Sequence, residues 1–342
     1  MDASAKPDTT YGDEPGIRFA VLLDTQGGSR QIDLRALLNW KPQDGVLWLH
    51  LERDHPAAAD WINRESGLDP LICEALLAEE SRPRVEPVND GLLIILRGVC
   101  GATPMGIVEE NQDLDLVPLH IWADANRLIT LRDSGHYITA LRDIRFALNK
   151  KVGPRNTGEL LAVVGDKLVR DLEPVLDAMD EEADELDDMI FHKACGEVRE
   201  RLKLLRRRSA QLRRYLMPQR DALVRIEHDD APWLSERDKL RIREVIDKLV
   251  RFVEYLDAIR DRTAILHDDL STVIGERIAR NSNRLSALAA LLLPPSVIAG
   301  LFGMNVGGIP GVNDTWAFVL IVGFVIALSA GTLMFLRKVD WL

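Results

Sequence analysis

The sequence predicts an α+β domain, a mixed sheet with helices, followed by long helices and a two-helix transmembrane hairpin. Three observations predict it. Residues 17–154 mix strand-like and helix-like stretches in no regular repeat. From residue 155 the pattern turns almost wholly helical. Two uncharged apolar runs then lie near the end, "LSALAALLLPPSVIAGLF" at 285–302 and "WAFVLIVGFVIALSAGTLMFL" at 316–336. A helix needs roughly 20 apolar residues to cross a bilayer core.

The elements follow in order. The chain has 342 residues, 46% hydrophobic and 28% charged, enough for a sizeable core and more than one domain. Residues 1–16, "MDASAKPDTTYGDEPG", are polar, lack the apolar core of a signal peptide and are expected to be a disordered tail. In 17–154, "IRFAVLLD", "GVLWLHLE", "LLIILRGV", "LVPLHIWA" and "RLITLR" are rich in branched and aromatic residues and predict strands. "VNDGLL" and "ADANRL" are hairpin signals. "AAADWINRE", "PLICEALLAEE" and "YITALRDIRFALNK" predict helices among them. "VGPRNTG" at 152–158 is a linker.

Residues 155–234 predict paired long helices, one from Gly158 to about His192 and one from Glu197 to about Glu227. "HDDAPWLSE" at 228–236 is a turn, with Ser235 as helix N-cap. A stalk helix over 235–284 continues into the first membrane helix, 285–304, with no proline before Pro294. At 1.5 Å per residue that single helix is roughly 100 Å long, as expected of a stalk projecting from a membrane.

The flanks orient the hairpin. Arg277, Arg280 and Arg284 precede the first run, Arg337 and Lys338 follow the second, and the loop 303–315 holds no Lys or Arg. The positive-inside rule therefore places both termini, including the tail 337–342, in the cytoplasm and the loop outside. Trp316 and Trp341 stand at run ends, where indoles favour the interface. Pro294 and Pro295 free the carbonyls of Ala290 and Leu291. Lipid penalises bare carbonyls, so the first helix is expected inside an assembly and the second against lipid. Two helices cannot enclose a pore, so a pore here requires a homo-oligomer with the first helix on its axis.

Charge narrows the function. The formal net charge is −11, which suits cations and argues against nucleic acid as a partner. The fixed charges from Leu285 onward, Asp314, Arg337, Lys338 and Asp340, sum to zero, so the excess lies upstream. The three cysteines, Cys73, Cys100 and Cys195, form neither a disulfide framework nor a zinc knuckle. "DAMDEEADELDDM" (177–189) is intensely acidic and "RERLKLLRRRSAQLRRY" (199–215) intensely basic. Two antiparallel helices with facing or solvated charges account for both runs. A cation-attracting ring at a cytoplasmic pore mouth is the functional alternative, with Asp180, Glu181, Asp184, Glu185 and Asp188 as its metal candidates. Of the seven histidines, His228 and His267 stand beside paired aspartates, but neither set has the spacing of a closed zinc site. Surface or capping roles are expected for all seven. No nucleophile–base pair or phosphate loop is seen, so neither an enzyme nor a cofactor is expected.

The stretch "LLLPPSVIAGLFGMN" carries Gly303, Met304 and Asn305 at the outer end of the first run, and a basic pair precedes "WL" after the second. This resembles the CorA superfamily of divalent-metal transporters, whose hallmark is Gly-Met-Asn at that place. "VGGIPG" (306–311), with upstream "WLHLERDHPAAADWI", "ALLAEESRPRVEPVNDGLLIILRGV" and "LHIWADANRLITLR", is similar to the ZntB zinc-transporter branch. Residues 100–117 depart from the branch pattern. The resemblance spans nearly the whole chain. It implies a funnel-shaped homopentamer in a bacterial inner membrane, passing a divalent cation, Zn2+ by the branch and Mg2+ by the larger family, with proton coupling proposed for the branch. A membrane-anchored sensor or scaffold is the rival from another class. An anchor needs no proline pair, continuous stalk or fixed asparagine.

The resemblance gives Gly303, Met304 and Asn305 the role of selectivity filter. A ring of neutral carboxamides holds a hydrated divalent ion without stripping or trapping it, since such ions lose water reluctantly and conduction requires release. A helix-capping asparagine is the structural alternative. Helical spacing back from Asn305 puts Gly300, Ser296, Leu293, Ala289, Leu285, Ser282 and Ile278 on one face, expected to line the pore. Leu285 and Leu293 are candidate hydrophobic constrictions, and Ser282 and Ser296 candidate contacts to the ion's water shell.

Overall fold

In the computed structural model, the described residues are 15–79, 82–100, 116–190, 195–304 and 315–338. They divide into two compact units. One holds the residues up to Leu186 together with Glu200–Ala264, and the other holds Asp187–Arg199 and the residues from Ile265 onward. The tail expected at 1–16 lies outside the described residues except for its last two positions.

The first unit is built on a seven-stranded sheet in the order β2-β1-β3-β7-β6-β5-β4. Its strands are β1 (Ile17–Leu23), β2 (Ser29–Gln31), β3 (Leu47–Glu52), β4 (Arg84–Val88), β5 (Gly91–Val99), β6 (Leu116–Ala123) and β7 (Arg127–Arg132). Neighbours are antiparallel except β3 and β7, which pair in parallel with Trp48 opposite Leu128 and His50 opposite Thr130. The five apolar runs expected to be strands are β1, β3, β5, β6 and β7. Strands β2 and β4 were not expected. β2 is three residues long, and β4, "RVEPV", contains a proline and has one buried residue. Such edge strands lack the alternation that marks a half-buried one.

Helices cover both faces. Leu47, Leu49 and Leu51 of β3 share a buried cluster with Ala58, Trp61 and Ile62 of α2 (Pro56–Arg64) and Ile72 and Leu76 of α3 (Pro70–Leu77). A short α1 (Leu34–Leu38) adds Leu37. The alternate residues of β3 serve the other face, where Trp48 meets Phe19 edge-on at 4.8 Å between ring centroids. The guanidinium of Arg145, from α4 (Thr139–Asn149), lies 4.5 Å over that Phe19 ring. Each fully buried large apolar side chain contributes about 1.5–3 kcal/mol, so burial on both faces makes these strands the core.

Local chemistry fixes the turns. Asp124 closes the β6–β7 hairpin by accepting the Asn126 and Arg127 amides, the Arg127 guanidinium at 2.7 Å and the Trp122 indole N–H at 2.9 Å. At the β4–β5 turn Asn89 adopts φ +53°. A Cβ on Gly91 would stand 2.3 Å from the Trp122 ring, so only glycine permits that approach.

The helices after the linker are α5 (Thr157–Arg170), α6 (Glu173–Ile190), α7 (Cys195–Glu227), α8 (Glu236–Phe302) and α9 (Thr315–Lys338). The helix expected from Gly158 to about His192 is two helices, interrupted at Asp171 and Leu172. Pro174 follows in the second position of α6, and a proline lacks the N–H that would carry one helix across the junction. Ser235 caps α8 as the sequence suggests. Its hydroxyl accepts the Asp238 amide at 3.2 Å while Asp238 Oδ2 accepts the Ser235 amide at 3.2 Å, a reciprocal capping box. Helices α5 and α8 run side by side. Arg241 meets Glu159 at 2.6 Å, and Lys248 meets Asp166 at 2.5 Å. Both pairs advance seven residues, which keeps the helices parallel in register.

Candidate functional site

Helix α8 continues unbroken to Phe302 through Pro294 and Pro295. Ser296 therefore stays helical, and its hydroxyl donates to Leu292 O at 2.7 Å. That commits its proton to the backbone, so only its oxygen lone pairs remain for a ligand. The positions expected to form the pore face, Ser282, Leu285, Ala289, Leu293, Ser296 and Gly300, all lie on this helix and are all exposed in the single chain. Leu285 is 69% exposed and Leu293 62%.

The last backbone bond of α8 runs from Gly303 N to Ala299 O at 2.9 Å. A Cβ on Gly303 would stand 3.0 Å from that same carbonyl, so glycine lets the helix end tightly. Met304 is half exposed. Asn305 and the rest of the loop to residue 314 lie outside the described residues, as does Trp341.

Both α8 and α9 contain a stretch long and apolar enough to span a membrane, and very little of either stretch is buried. Core helices of a soluble domain would be buried. Apolar surface on this scale needs lipid or other protein to cover it.

The acidic run lies on α6 among arginines. Arg262 of α8 reaches Asp184 at 2.6 Å and Asp180 at 3.9 Å. Arg201 of α7 reaches Glu185 at 2.5 Å and Glu182 at 3.5 Å, and Arg208 reaches Glu182 at 3.4 Å. The Tyr255 hydroxyl is pushed up to about 12 by burial first, then by its hydrogen bond to Asp180 and the charges of Asp177 and Asp184. Glu181 and Asp188 are exposed. Among the described residues no three His, Cys, Asp or Glu side chains converge on a metal position. Within one chain the run is thus a helix face whose charge is compensated in part. Pairing with the basic α7 was legible in the charge runs, whereas the reach of Arg262 from 78 residues downstream of Asp184 was not.

The histidines divide. His55 accepts the Ala57 amide and caps α2. His228 Nδ1 lies 2.8 Å from Val224 O at the end of α7. His267 is exposed on α8, and His192 lies outside the described residues. His50 and His120 correct the expectation of surface or capping roles, because both are buried in the sheet. His50 Nδ1 lies 3.0 Å from the Thr130 hydroxyl, which donates onward to Leu49 O, so Nδ1 carries the proton. Burial, then the charge of Arg132, pushes His50 down to about 3. Burial, then Arg53, pushes His120 down to about 4. Both are neutral at physiological pH. Their strands alternate apolar and polar residues weakly, which hid which face each imidazole takes.

The model of the CorA-like Mg2+ transporter protein family matches residues 43–338. Among solved structures, the full-length CmaX protein is 31% identical, with 95% of this chain and 99% of that chain covered and a TM-score of 0.78. The complete CorA magnesium transporter of Methanocaldococcus jannaschii is 19% identical over 95% of this chain and 99% of that one, with a TM-score of 0.79. The ZntB cytoplasmic domain from Vibrio parahaemolyticus is 21% identical over 77% of this chain and all of that one, with a TM-score of 0.66. The last two likenesses show the fold.

Proposed function

The chain belongs to the CorA-like Mg2+ transporter family, and from that premise we propose that it passes divalent cations through a central pore formed by five copies of itself. The observation that carries the reading is the pair of exposed apolar helices, α8 and α9, joined next to Gly303 and Met304. In this reading α8 lines the axis, the exposed Leu285 and Leu293 narrow it, and Asn305 holds the hydrated ion at the outer mouth. α9 faces lipid. Both termini stand on the cytoplasmic side of a bacterial inner membrane, as the arginines before 285 and the basic pair Arg337–Lys338 require of the positive-inside rule.

Zinc is the proposed cargo, on the "VGGIPG" that follows Asn305 and the upstream stretches resembling the ZntB branch. Magnesium is the second reading, favoured by the description of the matching family. The two ions ask different things of the pore. Mg2+ keeps its water shell tightly, whereas Zn2+ exchanges more readily for nitrogen and sulfur ligands. A ring of carboxamides and hydroxyls serves a hydrated ion of either kind. The acidic run of α6, with Asp180, Glu181, Asp184, Glu185 and Asp188, acts in this proposal by its field, not as a closed metal site.

The test is metal flux in liposomes that hold the purified chain, with Zn2+ and Mg2+ in separate runs and with or without a pH gradient. Zinc entry that exceeds magnesium entry supports the first reading, and the reverse order supports the second. Dependence on the gradient reports proton coupling. Flux of neither ion from correctly assembled protein leaves the hairpin as an anchor and the chain as a membrane-tethered sensor.

A further inference from the structure

Although the chain is acidic overall, one cavity of its first unit is strongly basic. It encloses about 300 Å³, and its lining includes Lys151, Arg155, Arg237 and Arg241 against a single carboxylate, Glu159. That volume is at the small end of the range of ligand sites. Val152 supplies its one large apolar side chain, and no aromatic ring lines it.

Four segments build the cavity. The loop between β1 and β2 supplies Gln26, the loop after α4 supplies Lys151, Val152, Gly153 and Arg155, and the first turn of α5 supplies Glu159. The first turns of α8 supply Arg237 and Arg241. The two loops are locked together. Gly153 N donates to Gly27 O at 2.7 Å, and a Cβ on Gly27 would come within 2.9 Å of Gly153 O. Lys151 holds φ +59°, the left-handed conformation that a chain leaving a helix normally gives to glycine.

The nearby carboxylates are already engaged. Glu159 pairs with Arg241 at 2.6 Å and accepts the Arg155 amide at 3.0 Å. Asp24 accepts the Gln26 and Gly28 amides. Glu236 reaches Lys239 at 3.6 Å, and Asp238 is held by the Ser235 hydroxyl. Glu159 pairs with Arg241 and its charge also acts on Arg155, and that of Asp24 acts on Lys151. Among the described residues no ion pair is made by Lys151, Arg155 or Arg237, which stand exposed at the cavity's rim, so four cations still outnumber the carboxylates around it. Two of the three also stand where helix dipoles are already positive. Arg155 immediately precedes the Asn156 cap of α5, and Arg237 is the second residue of α8. Cations gathered at two helix N-termini repel one another and both dipoles. The first-turn carboxylates Glu159, Glu236 and Asp238 offset part of this positive charge, and an anion between the cations offsets the rest.

We propose that this cavity is a binding site for a compact, multiply phosphorylated anion. Arginine forks match phosphate oxygens in bidentate geometry, and Lys151 adds a point charge. The lack of aromatic and apolar walls means that recognition rests on phosphate groups and not on a base or an acyl chain. The same chemistry is offered by a free polyphosphate and by a phosphorylated lipid headgroup.

Calorimetric titration of the full-length protein in detergent, with EDTA present so that no divalent metal competes for the phosphates, tests the site. One arm uses sodium tripolyphosphate. The other uses mixed micelles of that detergent with phosphatidylcholine, with and without phosphatidylinositol bisphosphate. Arg155→Gln and Arg237→Gln should each weaken binding about tenfold, the equivalent of one charge-assisted hydrogen bond. Arg225→Gln, which removes the same charge from an exposed position outside the cavity, should change it less than twofold. Oligomer size and thermal midpoint check that each variant is assembled. Saturable tripolyphosphate binding with this pattern assigns the site to a soluble polyphosphate. The same pattern in the mixed-micelle arm alone assigns it to a headgroup. No binding in either arm, or equal weakening by all three variants, overturns the proposal. Because no metal is present, either result stands apart from the transport reading.

Discussion

Arg262 Nη1 of α8 lies 2.6 Å from Asp184 Oδ1 of α6, so the helix that continues into the first apolar run answers the most acidic stretch of the chain. Asp184 is 67% exposed at its side chain, and an exposed pair of this kind contributes about 0.2–1 kcal/mol. A double-mutant cycle of Asp184→Asn and Arg262→Gln should return a coupling in that range, read from denaturation midpoints. Neutralising Asp180, Glu181, Asp184, Glu185 and Asp188 together should slow cation flux more at low ionic strength than at physiological salt, because salt screens the field beyond about 8 Å. Flux that is unchanged at every ionic strength would reduce the run to a structural helix face.

His50 sets a pH dependence of stability. Its folded value of about 3 lies below the ordinary 6.5, so between those limits the unfolded chain binds a proton that the folded chain refuses. Stability is then fully present above pH 6.5 and falls as the pH drops toward 3, with a slope of at most about 1.4 kcal/mol per pH unit from this residue. His50→Gln removes one of two buried imidazoles that titrate there, His120 being the other, and should make thermal midpoints fall less steeply across that window. Midpoints of wild type and variant that fall in parallel would assign the acid sensitivity elsewhere.

Gly91 is fixed by the indole of Trp122 and not by a turn. Gly91→Ala places a methyl 2.3 Å from the ring and should destabilise the first unit by about 1–3 kcal/mol, as overpacking does. The loss is readable as a lower denaturation midpoint. A variant as stable as wild type would mean that the Trp122 ring moves freely, which its hydrogen bond to Asp124 opposes.

The pore proposal requires assembly. Mass measurement of the detergent-solubilised protein should give five chains. A monomer that still moves metal would remove α8 from the pore axis.

Asn305 should be the most sensitive single position for flux. Asn305→Ala removes the carboxamide from every copy at once. Asn305→Asp keeps the size but supplies a ring of carboxylates, which should raise apparent metal affinity while slowing release. Circular dichroism and oligomer size should stay unchanged in both variants. Wild-type transport by a normally assembled variant would leave the asparagine as a helix cap.

The sequence by itself determined the elements whose signal is local. Five strands were legible because their side chains are branched or aromatic throughout. Ser235 was legible as a cap because a serine before a helical pattern has one common use. The apolar runs were legible because length and lack of charge alone make a span. Only the tertiary structure decided what depends on distant partners. It gave the edge strands β2 and β4 their places through ladders that their composition does not announce. It buried His50 against Thr130, 80 positions away, and brought Arg262 to Asp184. It also gathered Lys151, Arg155 and Arg237 around one cavity. Periodicity reports which face of an element is apolar. Which charged or polar group meets which other is set by the packing of elements far apart in the chain, and no local pattern records that.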